Sequence, residues 1–182
     1  MPSLDDSITR SINALAGHPA IDALMVHAST WGIPILILAV VAQWWAGSDR
    51  TQRRHVLLAA GLSFSLALAI NQLVLLFVHR VRPYDAGVTR LLIERSTDPS
   101  FPSDHTTAAV AIAAAFFLDR SPKRGLAFAI AAAIISFSRV YLGTHYVSDV
   151  LGGALTGTAA AVIAAALFRR GTNLDRALTG IL

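Results

Sequence analysis

Three short stretches of this chain carry side chains suited to chemistry. The first is His79-Arg80-Val81-Arg82-Pro83-Tyr84. The second is Phe101-Pro102-Ser103-Asp104-His105-Thr106-Thr107, and the third runs from Ser138-Arg139 through His145 to Asp149. Arg82 and Arg139 offer planar forks of donors that suit a phosphate, with which charge-assisted hydrogen bonds are strong. Ser103 follows Pro102 at the head of an apolar run, where the free N–H groups and dipole of a helix start favour an anion. Arg80 and Asp104 stand next to these groups and join the candidate phosphate site. His145 and Asp149 are four residues apart, so a helix through both would put them on one face. A carboxylate beside an imidazole fixes its tautomer and stabilises the imidazolium, leaving the other nitrogen free to attack. His105 is then available to protonate a leaving oxygen. An anion cradle, a nucleophile with its orienting carboxylate, and an acid are the parts needed for phosphoryl transfer through a covalent phosphohistidine.

Each piece also has a plainer reading. A lone His in an apolar segment is often a satisfied packing residue. Arg80 and Arg82 suit lipid headgroups, and a Ser at a helix start is commonly only an N-cap. Gly153 and Gly157 form a small-xxx-small pair that packs helices more readily than it serves a site. Two His and two Asp could ligate a metal, but three nearby Arg would repel a divalent cation, so no metal or other cofactor is expected. With no cysteine, the chain has neither a disulfide framework nor a thiolate metal site.

The elements that must position these residues are membrane helices. Of the 182 residues 54% are hydrophobic and only 14% charged, about half the charge of an ordinary soluble domain. Five apolar segments stand out: Gly32–Ala46, Val56–Val78, His105–Leu118, Gly125–Val140 and Val147–Phe168. A span takes about 20 residues, so the second and fifth suffice, whereas the others must recruit neighbours or sit where the bundle is thin. The expectation is an all-α integral membrane bundle of about five transmembrane helices, one domain over 1–182 with its catalytic core at 71–168.

Residues 1–30 form an amphipathic N-terminal segment. Leu4, Ile8, Ile12 and Leu15 recur at helical spacing, and Ile21, Leu24, Met25 and Ala28 repeat the pattern. The second of these helices is equally readable as the start of the first span. No basic stretch precedes an apolar core, so the N-terminus does not read as a cleavable signal peptide. Trp31, Trp44, Trp45, Tyr84, Tyr141 and Tyr146 fall at span ends, as in an aromatic belt.

Alternating topology sets the orientation. Nine of the fifteen basic residues follow the first, third and fifth spans: Arg50, Arg53, Arg54, Arg120, Lys123, Arg124, Arg169, Arg170 and Arg176. By the positive-inside rule that end is cytoplasmic. All three chemistry-bearing stretches then fall on the opposite, extracytoplasmic side of a cell (inner) membrane. The net charge of +4 comes from short basic clusters between apolar runs, so nucleic acid is not an expected partner. Ionisable groups at membrane depth are costly and usually functional.

Together the three stretches resemble the type 2 phosphatidic acid phosphatase superfamily, which shares its site with the vanadium haloperoxidases. The family pattern is Lys, six residues, Arg-Pro; then Pro-Ser-Gly-His; then Ser-Arg, five residues, His, three residues, Asp. Ser138, Arg139, His145 and Asp149 match the third motif completely. Pro102-Ser103-Asp104-His105 matches the second with Asp104 in place of Gly. Arg82-Pro83 matches the first, but the Lys position falls on Leu75. Arg80 and His79 are candidates to substitute for that Lys.

The resemblance implies a metal-independent phosphatase with His145 as nucleophile, Asp149 as its partner and His105 as general acid. Arg82, Arg139 and the Ser103 region would bind phosphate. Asp104, Thr106-Thr107 and Arg80-Val81-Arg82-Pro83-Tyr84 look like the bacitracin-resistance type of undecaprenyl-diphosphate phosphatase. That type implies a lipid diphosphate substrate drawn from the bilayer. Phosphatidylglycerophosphate or phosphatidic acid is the alternative substrate. A transporter, or an inactive lipid-binding relative, is the alternative of another class.

Overall fold

A computed structural model describes residues 3–46 and 49–180; both ends of the expected 1–182 domain, Met1 and Pro2 included, lie outside the described residues. Among the described residues every regular element is helical. In chain order these are α1 (Leu4–Asn13), α2 (Pro19–Val41, continued by a 3-10 turn Ala42–Trp45), α3 (Arg50–Leu75), α4 (Asp104–Leu118), α5 (Pro122–Tyr141), α6 (Val147–Leu167) and α7 (Asn173–Thr179).

Among the described residues four helices are long and apolar enough to cross a membrane: α2 with its 3-10 turn, α3, α5 and α6. The fifth, α4, has 15 residues. That is about 22 Å of helix, short of the roughly 30 Å hydrocarbon core. Its packing explains why this is tolerated. α4 is the hub of the bundle, lying against α3, α5 and α6 and touching α2. Its buried Ala108, Ala109, Ala111, Ala113 and Ala115 let those neighbours approach closely, and a helix sheathed in protein need not match the bilayer.

The other two short segments gain length from their flanks. α5 starts at Pro122 and α2 at Pro19, each with proline in the first turn, where its missing N–H costs nothing. Residues 19–30 are therefore the opening turns of the first span, and only α1 is a separate amphipathic helix. A reciprocal capping box between Ser3 and Asp6 starts α1. Thr9 and Asn13 face inward and are buried, whereas Leu4 and Ile8 are exposed.

Phe116 of α4 stacks on Phe128 of α5 with ring centroids 4.6 Å apart, inside a core that also takes Leu36, Val56 and Ile135. α6 crosses α4 at backbone distance. A Cβ on Gly157 would stand 2.5 Å from the Thr107 carbonyl oxygen, and one on Gly153 2.7 Å from that of Ser103. The small-xxx-small pair thus packs helices. The aromatic belt is narrower than expected. Trp31 and Trp45 are exposed, but Tyr141 and Tyr146 are buried. The Tyr141 hydroxyl donates to Asp22 at 2.6 Å. Tyr146 lies beneath the Arg80 guanidinium. These tyrosines fix the ends of α5 and α6 to their surroundings.

Candidate active site

The end of α3, the start of α4, the end of α5 and the start of α6 meet at one end of the bundle, where the loop of residues 76–103 folds over them. Arg82, His105, Arg139 and His145, drawn from all three motifs, line one cleft of about 220 Å³. Asp104, Gln72 and Leu75 complete its α3–α4 wall, and Ser96, Asp98 and Pro99 of the loop form its cover.

His145 is not on a helix. It sits in the turn before α6, whose N-cap is Tyr146, so the shared helix face expected for His145 and Asp149 does not exist. What holds the ring is the loop. Its Nδ1 lies 2.8 Å from the Ser100 carbonyl oxygen and 3.6 Å from Asp149 Oδ2. Its Nε2 lies 3.4 Å from Arg82 Nη1. A carbonyl only accepts and a guanidinium only donates. Both contacts therefore select the tautomer with hydrogen on Nδ1 and a lone pair on Nε2, and that lone pair faces the cleft. Burial pushes the imidazole below its ordinary pKa; Asp149 works against this, while Arg139 and Arg82 reinforce it. The His145 ring is accordingly neutral at neutral pH.

Asp149 is fully buried and saturated. Oδ1 accepts from Arg80 at 2.7 Å, while Oδ2 accepts from the Ser100 hydroxyl at 2.5 Å and the Tyr146 N–H at 2.8 Å. Arg80, expected in the phosphate cradle, is instead behind the site. Its guanidinium bridges Asp149 and Asp5, both at 2.7 Å, and covers the Tyr146 ring. Asp5 and Asp149 outweigh the effect of burial and hold its charge more firmly than usual.

Arg82 is locked by the cover loop. Its Nε donates to the Asp98 carbonyl at 2.8 Å and its Nη1 to that of Thr144 at 3.1 Å. Arg139 donates to the Ser29 hydroxyl of α2 and leaves its buried Nε without a partner among the described residues. Ser103 is at the predicted helix start but is buried away from the cleft. Its N–H goes to the Asp149 carbonyl at 3.1 Å and its hydroxyl accepts from Thr106, so it ties α4 to α6. Asp104 lines the cleft, with one carboxylate oxygen held by Asn71 at 2.6 Å. Leu75, at the position of the family's Lys, also lines the cleft.

Four contributors went unread in the sequence. Ser100 orients both His145 and Asp149, Asp5 shares Arg80, Ser29 holds Arg139, and Asn71 holds Asp104. Only Asn71 carried a signal, as a polar residue deep in an apolar helix. The loop of residues 87–100 covers the cleft, through Ser96, Asp98 and Pro99.

Residues 56–172 match the PAP2 superfamily. This chain belongs to the PAP2 superfamily. It is 37% identical over 170 residues to the undecaprenyl-diphosphatase BcrC of Bacillus subtilis (strain 168), an alignment covering 93% of this chain and 84% of the relative. It is 31% identical to an undecaprenyl-diphosphatase of Sulfolobus acidocaldarius, over 76% of this chain and 66% of that protein. Among solved structures, the transmembrane PAP2-type phosphatidylglycerolphosphate phosphatase of Bacillus subtilis superposes with a TM-score of 0.68 at 24% identity, covering 92% of this chain and 87% of that one. The protein is a multi-pass membrane lipid phosphatase of the PAP2 type, and its substrate is a lipid phosphate.

Proposed function

We propose that this PAP2 phosphatase hydrolyses a polyprenyl diphosphate, of the undecaprenyl type, to the monophosphate and inorganic phosphate. One observation carries the mechanism: the Ser100 carbonyl and the Arg82 guanidinium together leave the His145 Nε2 lone pair facing a cationic cleft. The terminal phosphate lies between Arg82 and Arg139. Nε2 attacks its phosphorus in line with the bridging oxygen, forming the N–P bond as the P–O bond breaks. His105 delivers a proton to the departing lipid monophosphate. Water, deprotonated by the same His105, then attacks the phosphohistidine and releases phosphate. Asp149 and Ser100 keep the Nδ1 proton in place and stabilise the ring as it becomes positive.

The names of the two relatives above support the diphosphate substrate. The catalytic core is residues 71–168. The site faces the extracytoplasmic side of the cell membrane, a reading supported by the nine basic residues at the other end of the bundle. Purified protein is to be offered undecaprenyl diphosphate, phosphatidylglycerophosphate and phosphatidic acid in turn, with phosphate release measured. A preference for either glycerophospholipid would sink the polyprenyl reading. Radiolabel from the terminal phosphate should be trapped on wild-type protein and not on His145→Ala.

A further inference from the structure

The first turn of α6 carries Asp149, and Tyr146, its N-cap residue, has no short side chain that would satisfy the helix's first N–H groups. α1 supplies the missing acceptors from elsewhere in the chain. The Val147 N–H donates to Thr9 Oγ1 at 3.1 Å and the Ser148 N–H to Asp5 Oδ1 at 3.1 Å. The Ser148 hydroxyl also donates to Asp5. Asp5 therefore holds the helix start, and its other role is electrostatic, because Arg80 Nη2 reaches Asp5 Oδ2 while Arg80 Nη1 reaches Asp149 Oδ1. One guanidinium is shared between a catalytic-site carboxylate and a carboxylate on the N-terminal helix. Burial raises the Asp5 carboxyl, but the Ser148 hydroxyl and Arg80 outweigh it and hold the group ionised below its ordinary value.

We propose that Asp5 is a positioning residue of the site: by drawing on Arg80 it sets how much of the Asp149 charge is left to act on His145. The inference rests on the phosphatase mechanism given above. Without Asp5, Arg80 neutralises Asp149 more fully, and the His145 imidazolium loses support. Without Arg80, Asp149 acts on His145 undiluted. The other charged or titratable groups facing His145 are Arg82 on the cover loop, Arg139 on α5 and His105 on α4, and neither substitution touches them. α1, which bears Asp5, presents Leu4 and Ile8 outward and is tied to the bundle by buried Thr9, which accepts from the Val147 N–H, and buried Asn13, which donates to the Tyr141 carbonyl.

The test uses full-length protein in phospholipid vesicles with undecaprenyl diphosphate. Asp5→Asn should lower kcat about tenfold, the low end for a residue that orients a reacting group through another. KM should stay within about twofold, because the phosphate cradle is intact. The acid arm of kcat/KM should move to lower pH in Asp5→Asn and to higher pH in Arg80→Gln. Because Asp5 acts through Arg80, the double variant should be no slower than Arg80→Gln alone, and Asp5→Glu should recover most of the activity.

A purely structural clamp would give fully additive losses and acid arms moving together, and either result overturns the proposal. So does unchanged kcat in Asp5→Asn. Should wild-type protein release no phosphate from any lipid, the proposed function fails; an active wild type with an indifferent Asp5 removes this inference alone.

Discussion

The two ends of the bundle are built from the same residue types and do different things. At the site end His145 meets Asp149, with Arg80 behind, beside a cleft of about 220 Å³. At the other end His55 of α3 meets Asp175 of α7 at 2.7 Å and Asp119 at 3.8 Å, with Arg170 on Asp119, beside a cavity of about 200 Å³. The difference lies in what each imidazole has left to offer. Both nitrogens of His55 point at carboxylates, and its ring stacks flat on Phe168 with centroids 4.8 Å apart. Nothing remains for a substrate. His145 holds Nδ1 against the Ser100 carbonyl at 2.8 Å, and its Nε2, with only the long 3.4 Å contact to Arg82, opens into a cleft with two guanidiniums. Residue type supplies chemistry only where one valence is kept free and a counter-charged ligand can reach it.

The largest effect expected from this contrast is at His145. Its replacement by Ala should cost about 10⁴–10⁶-fold in phosphate release, the range for removing a covalent nucleophile. Replacing His55 by Ala should leave kcat/KM of the folded protein within about twofold. If His55→Ala matched the loss in His145→Ala, the two ends could not be told apart by free valence, and the contrast would collapse. His105→Ala comes next. Losing a positioned proton donor costs about 10²–10⁴-fold. For a substrate analogue whose leaving group needs no proton, such as an aryl phosphate, the loss in the first step should shrink, while the deprotonation of water in the second step still depends on His105.

The same contrast shows what a linear reading can reach. The helical class and the convergence of three motifs were legible, because apolar length and alternating topology bring Arg82, His105, Arg139 and His145 to one end whatever the packing details. Contacts that depend on loop conformation were not legible. Ser100 faces His145 only because residues 76–103 fold back over the cleft, and no periodicity encodes that fold. Arg80 sits two residues from Arg82, yet it points the other way, toward Asp5 and Asp149. Asp5 is more than 140 residues from Asp149 in sequence, and no local pattern links them. Spacing misled in one place: an interval of four residues implied one helix face, but the helix begins after His145.

A middle-sized effect belongs to the far end. His55 and Asp175 anchor α7 under the bundle, and Asp175 also accepts the Gly171 N–H at 2.7 Å. His55→Ala removes the partner of a buried carboxylate and should cost about 1–3 kcal/mol, read as a lowered Tm in detergent. Asp175→Asn should cost less, since an amide oxygen still accepts from the Gly171 N–H. Gly157→Ala should destabilise by a comparable 1–3 kcal/mol, roughly the cost of overpacking, because its Cβ would stand 2.5 Å from the Thr107 carbonyl oxygen. That variant strains the α4–α6 crossing between the two ends.

The smallest expected effect is the pH dependence of stability carried by His145. Burial, aided by Arg139 and Arg82, holds its folded-state pKa below the ordinary value of 6.5. In the unfolded chain the ring takes up a proton near pH 6.5; in the folded protein it does so only at lower pH. As pH falls below about 6.5 the unfolded state therefore binds more protons, and stability declines until the folded ring titrates as well. Above pH 6.5 both states are neutral and the contribution is constant. Wild-type Tm should accordingly fall on acidification through the 6.5–5 range, and His145→Gln, which has no proton to take up, should show a shallower decline. An identical Tm profile for the two proteins would mean that His145 is no more strained by its site than a surface histidine, and the neutral, cleft-facing Nε2 would lose its electrostatic support.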